Sequence, residues 1–270
     1  MSLIKGVTLG QYMPADSFVH KLDPRCKLFI TVLSMIAIFI SDNFLALAMW
    51  ASLILFLTKK SKIPVGALMK SAKPILVLII FTSFLHVFFS GGDDIIFSIG
   101  PLKASAGGAL TAIRIGLRLY LLVLFTALLT FTTSPSELSD GLEAVMGPLK
   151  RFGFPAHEVA MMMTIALRFI PTLFEETERI INAQVSRGAD FHSGGLVKRA
   201  KAYIPVLIPL FVLVFKRADT LAFAMEARCY RGGKGRVRMY PLNWGTAETK
   251  TAIVFIIFVA TVIFLNRYTR

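Results

Sequence analysis

Five stretches of this chain, residues 28–40, 44–58, 74–90, 119–131 and 251–265, contain no charged side chain at all. Hydrophobic residues make up 55% of the whole, with 23 Phe. Soluble domains sit nearer 45–50%, so the excess must be buried in something besides a protein core. The medium that accepts such runs is a lipid bilayer. The expected fold class is an all-α integral membrane protein.

A spanning helix needs about 20 residues. The run 28–40 reaches that length only if its helix begins near Pro24 and lets Arg25 and Lys27 snorkel to the interface. Ser41-Asp42-Asn43 is then either a tight turn or the middle of one tilted helix over 28–58. Charge chooses between them. Lys21, Arg25 and Lys27 precede the pair of runs, and Lys59, Lys60, Lys62, Lys70 and Lys73 follow it without an acidic residue. Basic flanks stay cytoplasmic, so the chain crosses twice. The next loop carries Asp93 and Asp94 against Lys103 and suits the outer face. Residues 132–250 return inside, with 16 Lys+Arg against 11 Asp+Glu. The last run leaves the C-terminus outside, against the mild objection of Arg267 and Arg270.

The expected organisation is a cytoplasmic or interfacial arm over 1–27, with turns at Gly10, Pro14 and Pro24, and four transmembrane helices over 28–131. A cytoplasmic domain of three long amphipathic helices follows over 132–249, and 250–270 form a fifth span with an external tail. Met1 is not followed by a cleavable signal pattern, and the basic flank of the first run places the N-terminus inside. Both thiols, Cys26 and Cys229, fall on that side and are expected reduced. The rival topology sends the second and third of the polar-region helices through the bilayer as an extra pair.

In the polar region, Ser134 is an N-cap, Pro135 takes the first helical position and Glu137 the third. The first helix ends near residues 150–153. The second runs from about Pro155 to Arg187, kinked by Pro171, with an apolar face at Val159, Met162, Met163, Ala166, Ile170 and Leu173. Glu175 and Arg179 form its favourable four-residue pair. The third helix covers 196–228, and its apolar run 204–215 is too short to span.

Two ends in this region carry the same pattern: Ser186-Arg187-Gly188 and Ala227-Arg228-Cys229. An arginine between small residues can push its whole guanidinium fork into another protein's groove. The plainer alternative is two surface arginines favoured at helix C-termini by the dipole. Met161, Met162 and Met163, with Leu207 and Phe211 on the next helix, offer an adaptable apolar surface for a membrane partner, or else core filler.

The net charge of +14 marks topology and attraction to anionic lipid. Nucleic acid is not an expected partner: the basic run 231–238 has Tyr230 and Tyr240 only at its edges, which is poor for stacking. There is no phosphate-cradling Gly-x-x-x-x-Gly-Lys-Ser/Thr loop. His20, His86, His157 and His192 lack metal spacing, and the acidic run at Glu175, Glu176 and Glu178 reads as a solvated face. No cofactor and no catalytic residues are expected. Arg114 and Arg118, one helical turn apart ahead of the fourth run, are either functional intramembrane charges or interfacial residues that snorkel while the helix starts late. The second is favoured.

Five segments resemble the transmembrane coupling subunit, or T component, of energy-coupling factor (ECF) transporters. They are Gly10-Gln11-Tyr12-x-Pro14-x-Asp16-Ser17-x-x-His20-x-Leu22-Asp23-Pro24-Arg25, Thr132-Thr133-Ser134-Pro135, Ala166-Leu167-Arg168-Phe169-Ile170-Pro171, Ser186-Arg187-Gly188-Ala189 and Ala224-Met225-Glu226-Ala227-Arg228-Cys229-Tyr230-Arg231-Gly232. The family's paired signatures usually read Ala-Arg-Gly; Ser186 and Cys229 depart from that but keep a small residue. The resemblance implies a scaffold in the bacterial cell membrane. Its cytoplasmic helices dock two ABC ATPase subunits through Arg187 and Arg228, and it carries a small membrane-embedded substrate-binding S component. The cargo it implies is a micronutrient, a vitamin or a metal ion. A membrane-bound enzyme and a conventional permease are the alternatives. The first would need a cluster of carboxylates or histidines, the second polar residues inside the spans.

Overall fold

The computed structural model describes residues 12–89, 95–99, 102–191, 193, 195–232 and 242–268. Gly10, Gln11, Asp93, Asp94, His192, Gly194, Arg270 and most of the basic run 231–238 lie outside the described residues. The fold is all-α apart from one short hairpin, and the chain forms two compact units, described separately.

The first unit comprises residues 12–141 and 242–268. In the arm, α1 (Phe18–Lys21) is capped by Ser17, whose Oγ accepts from the His20 N–H. Pro24 is not a turn but the first residue of α2 (Pro24–Ile40), with Asp23 as N-cap accepting the Arg25 N–H at 2.8 Å. The next helix, α3 (Phe44–Lys60), is capped by Asn43, so residues 41–43 form the turn and a single helix over 28–58 is excluded. α4 (Val65–Phe89) runs through Pro74 without interruption. The loop after it holds an antiparallel hairpin, β1 (Ile95–Ile99) and β2 (Leu102–Ser105). Ser105 then caps α5 (Ala106–Thr132), its Oγ accepting from the Gly108 N–H at 3.0 Å.

α5 is one continuous helix from Ala106, with Arg114 and Arg118 within its length. It presents Gly108, Ala112 and Gly116 at four-residue spacing to α4. A Cβ on Gly108 would lie 2.9 Å from the Val87 carbonyl, and one on Gly116 3.0 Å from Ser83 Oγ. Small residues here let two apolar helices approach closely enough to pack without help from water. After α5 the chain enters α6 (Pro135–Val145) through a reciprocal capping box: the Glu137 N–H donates to Ser134 Oγ and the Ser134 N–H to Glu137 Oε2.

The core of this unit lies between α2, α3, α5 and the final helix, α10 (Thr246–Tyr268). Trp50 is fully enclosed, with its ring 5.2 Å from Phe258, 6.1 Å from Phe125 and 6.2 Å from Phe255. Outward, the bundle shows Val77, Ile80, Phe81, Val254 and Ile257, a surface only lipid solvates. Among the described residues, three helices are long and apolar enough to cross a membrane: Val65–Phe88, Gly107–Thr132 and Thr246–Tyr268. At 17 residues each, α2 and α3 stand at the short end of the spanning range.

Polar ties cross this greasy interior. Lys27 does not snorkel. It is buried, and its Nζ donates to the carbonyls of His20 at 2.9 Å and Thr132 at 3.0 Å. Arg118 does not snorkel either. It donates to Asp42 Oδ1 and to the Ser41 carbonyl, each at 2.6 Å, and lies over the Phe39 ring. Arg114 sits over Phe44. Asn266 closes the same turn from α10: its Oδ1 accepts from the N–H groups of Asp42 and Asn43, and its Nδ2 donates to the Ile40 carbonyl.

The second unit, described over 142–232, begins with the end of α6 and a 3-10 turn, Gly147–Phe152. The expected first helix is therefore shorter than its polar pattern suggested. The second is α7 (Ala156–Ser186), which continues through Pro171. The third is divided at Tyr203 into α8 (Leu196–Ala202) and α9 (Ile204–Ala227). Pro205 explains the break: it has no N–H to continue the α8 ladder but is preorganised for a first helical turn.

Candidate functional site

Both arginine signatures form the same local structure. Arg187 is the C-cap of α7, and Gly188 follows at φ +87°. The Gly188 N–H donates to the Val185 carbonyl and the Ala189 N–H to the Gln184 carbonyl. At the end of α9, Arg228 is the C-cap and Cys229 stands at φ +58°. The Cys229 N–H donates to the Glu226 carbonyl and the Tyr230 N–H to the Met225 carbonyl. Each is a Schellman ending, with the residue after the arginine in the left-handed region. The left-handed φ gives Gly188 a backbone reason, since glycine adopts it freely, and leaves Cys229 strained. No atom lies within 4 Å of a Cβ built on Gly188, so space is not the constraint.

Ser186 and Ala227 are the last helical residues, and Ser186 Oγ donates to the Asn182 carbonyl. All six signature residues are exposed. The thiol of Cys229 is exposed and that of Cys26 buried; both are free.

What relates the two signatures is an ion pair that sequence reasoning missed. Arg217 Nη2 lies 2.9 Å from Glu176 Oε1, half-buried between α9 and α7. Arg179 reaches the same Glu176 at 3.7 Å, in place of the expected pair with Glu175. Further along, Gln184 Nε2 donates to the Pro205 carbonyl at 3.4 Å. The later residue of one helix meets the earlier residue of the other, so α7 and α9 run in opposite directions. Each signature arginine falls eleven positions after its helix's partner in the ion pair (176 to 187, 217 to 228), about 16 Å of helix. The two arginines therefore end two opposed arms of equal length. A contact 41 residues apart in sequence leaves no periodic trace, which is why only the tertiary structure reveals it.

The apolar candidates occupy the flanks of these arms. Met161 is half-buried, Met162 and Met163 are exposed. On α9, Leu207 and Phe211 are exposed together with Ile204, Ile208, Val212 and Phe215, one continuous stripe at helical spacing. Val206, on the other side, is buried. An uncovered stripe of this length is a surface awaiting a partner or lipid. In the first unit, Lys27 joins two of the family-like segments, 10–25 and 132–135, by bonding the His20 carbonyl of one and the Thr132 carbonyl of the other.

The family profile described as "Cobalt transport protein" matches residues 15–240. An "Energy-coupling factor transporter transmembrane protein EcfT" from Thermanaerovibrio acidaminovorans is 50% identical, covering 99% of both chains. Proteins of the same name from Acidaminococcus fermentans and Bacillus subtilis are 45% and 43% identical, covering 98% of this chain and 98% and 100% of their own. At such identity over nearly full length, with paired arginine helix ends and a lipid-facing bundle, the chain belongs to the family of energy-coupling factor transporter transmembrane proteins.

Proposed function

We propose that this membrane protein is the scaffold and coupling subunit of an ECF-type ABC importer, with Arg187 and Arg228 as its contacts to two ABC ATPase subunits. The observation that carries this reading is the pair of opposed arms tied at Glu176–Arg217, each ending in an exposed arginine on a Schellman turn. Two ATPases that close and open would pull on the two arms together, and the ion pair between α7 and α9 transmits the movement into the apolar stripe. That stripe, with Met161, Met162 and Met163, holds a small membrane-embedded S component. ATP hydrolysis and cargo recognition belong to the partner subunits, and the cargo is a micronutrient, a vitamin or a metal ion. Residues 132–249 face the cytoplasm of a bacterial cell, as do the N-terminus and the basic loop at Lys59–Lys62, and the chain crosses the membrane five times.

Affinity purification from native membranes tests the assembly. Two ATPase copies and a small hydrophobic protein should co-purify. Met162→Asp and Leu207→Asp should release the small hydrophobic protein and retain the ATPases. An isolated, active polypeptide would overturn the reading, and retention of both associations by both variants would make these faces internal packing.

A further inference from the structure

At one end of the first unit, α2 and α10 begin and α3 and α5 end, and between these four ends lies a cavity of about 560 Å³. That volume falls within the roughly 300–1,000 Å³ of small-ligand sites. Its walls are graded. Ile30, Leu53, Phe125 and Phe255 line the part reaching into the bundle, and Lys60 and Lys250 stand exposed at the mouth. Among the described residues, no acidic side chain lines it. Lys27 lines the same space from a buried position. Its Nζ donates to the carbonyls of His20 and Thr132, and the Glu137 and Asp23 carboxylates act on the same ammonium.

An apolar chamber with a lysine mouth and a buried ammonium selects an amphiphile carrying a negative head. We infer that this cavity is a binding site for an anionic phospholipid, one acyl chain lying between α2, α3, α5 and α10 and the phosphate held at Lys60 and Lys250. A zwitterionic lipid fits the chamber equally well but gains little from the mouth. A free phosphate fits the mouth but leaves the chamber to nothing. The site lies wholly in the bundle and is independent of any role for the arginine-tipped arms. The lipid would also brace the arm, since Phe18 and Val19 of α1 form part of the rim.

Trp50 gives a built-in reporter, because it packs on Phe125 and Phe255 of the cavity wall, and Trp244 is the other of the chain's two tryptophans. The full chain carrying Trp244→Phe is reconstituted in phosphatidylcholine vesicles containing increasing fractions of acyl-brominated phosphatidylglycerol or acyl-brominated phosphatidylcholine. Quenching of Trp50 should reach half-maximum at a lower fraction of the brominated phosphatidylglycerol than of the brominated phosphatidylcholine. Lys60→Gln and Lys250→Gln should each reduce that preference by about fivefold. Leu53→Phe, which narrows the chamber and leaves the lysines, should weaken it, while inorganic phosphate in the buffer should leave it unchanged. Equal quenching by the two lipids overturns the inference, as does a preference that survives both lysine changes. Loss of the preference on adding phosphate would make the mouth an anion site and not a lipid site.

Discussion

The two units of this protein treat their hydrophobic residues differently. In the bundle, Trp50, Ile38, Leu47, Ile54, Leu68 and Val262 are all but completely enclosed by neighbouring helices. In residues 142–232, the buried apolar residues among those described are Ala156, Ala160, Phe191 and Val206, while a stripe from Ile204 to Phe215 stays uncovered. The bundle ties Arg118, Asn266 and Lys27 to internal partners, whereas the arms leave Arg187 and Arg228 exposed. A bundle with an enclosed core of its own and an unfinished surface thus share one chain. The lesson is that a mutation's consequence depends on which unit carries it: stability in one, association in the other.

The largest test of that contrast is on the arms. Arg187→Ala or Arg228→Ala should strongly impair transport in membranes, and the double change should abolish it. Truncating one partner of a desolvated, hydrogen-bonded charge pair costs about 2–5 kcal/mol of binding, against roughly 0–1 for a solvated surface pair. Lysine should rescue poorly, since it lacks the planar fork. Alanine at Arg199 or Arg231, both exposed, serves as the control. Thermal unfolding of the isolated subunit should change within about 0.5 kcal/mol for all of these. A normal transport rate in the double variant breaks the comparison, as does a large loss of subunit stability.

In the bundle the expectation reverses. Arg118→Ala removes the cation from Asp42 and the donor from the Ser41 carbonyl. Breaking a fully buried pair costs about 3–5 kcal/mol; the Asp42 side chain is 37% exposed, which brings the expected loss to about 2. Thermal unfolding of the purified chain in detergent measures it, and a cycle with Asp42→Ala isolates the pairwise part. Additive single and double changes would show that Arg118 and Asp42 act on the turn independently of each other.

The smallest effect sharpens the comparison within the arms. Cys229→Gly relieves a left-handed non-glycine residue and should stabilise the end of α9 by up to about 1 kcal/mol, partly offset by the greater freedom of glycine in the unfolded chain. Gly188→Ala should cost about 1 kcal/mol at the end of α7. Amide exchange at Tyr230 and Ala189 reads both directly, since those N–H groups close the two Schellman turns. Exchange at Tyr230 that quickens in the Cys229→Gly protein would contradict the backbone account of the signatures.

What the sequence by itself determined was local. The uncharged runs located the apolar helices of the bundle, three of them long enough to cross a membrane, because the penalty for a charge in lipid is paid residue by residue. Ser134, Pro135 and Glu137 announced a helix start, and the signatures marked two helix ends, because caps are chemistry among residues within four positions of one another. Pro205, by contrast, went unread as the divider of α8 from α9, although its missing N–H was visible in the sequence. The tertiary structure alone decided what the isolated charges do. Lys27 and Arg118 looked like residues that snorkel, since an ammonium or guanidinium near a helix end ordinarily reaches for water. Their partners, 105 and 76 positions away, offered nearer and drier acceptors. The pairing of Glu176 with Arg217 is of the same kind. A helix exposes the same face at every turn, and only packing selects which neighbour, at which depth, that face will meet.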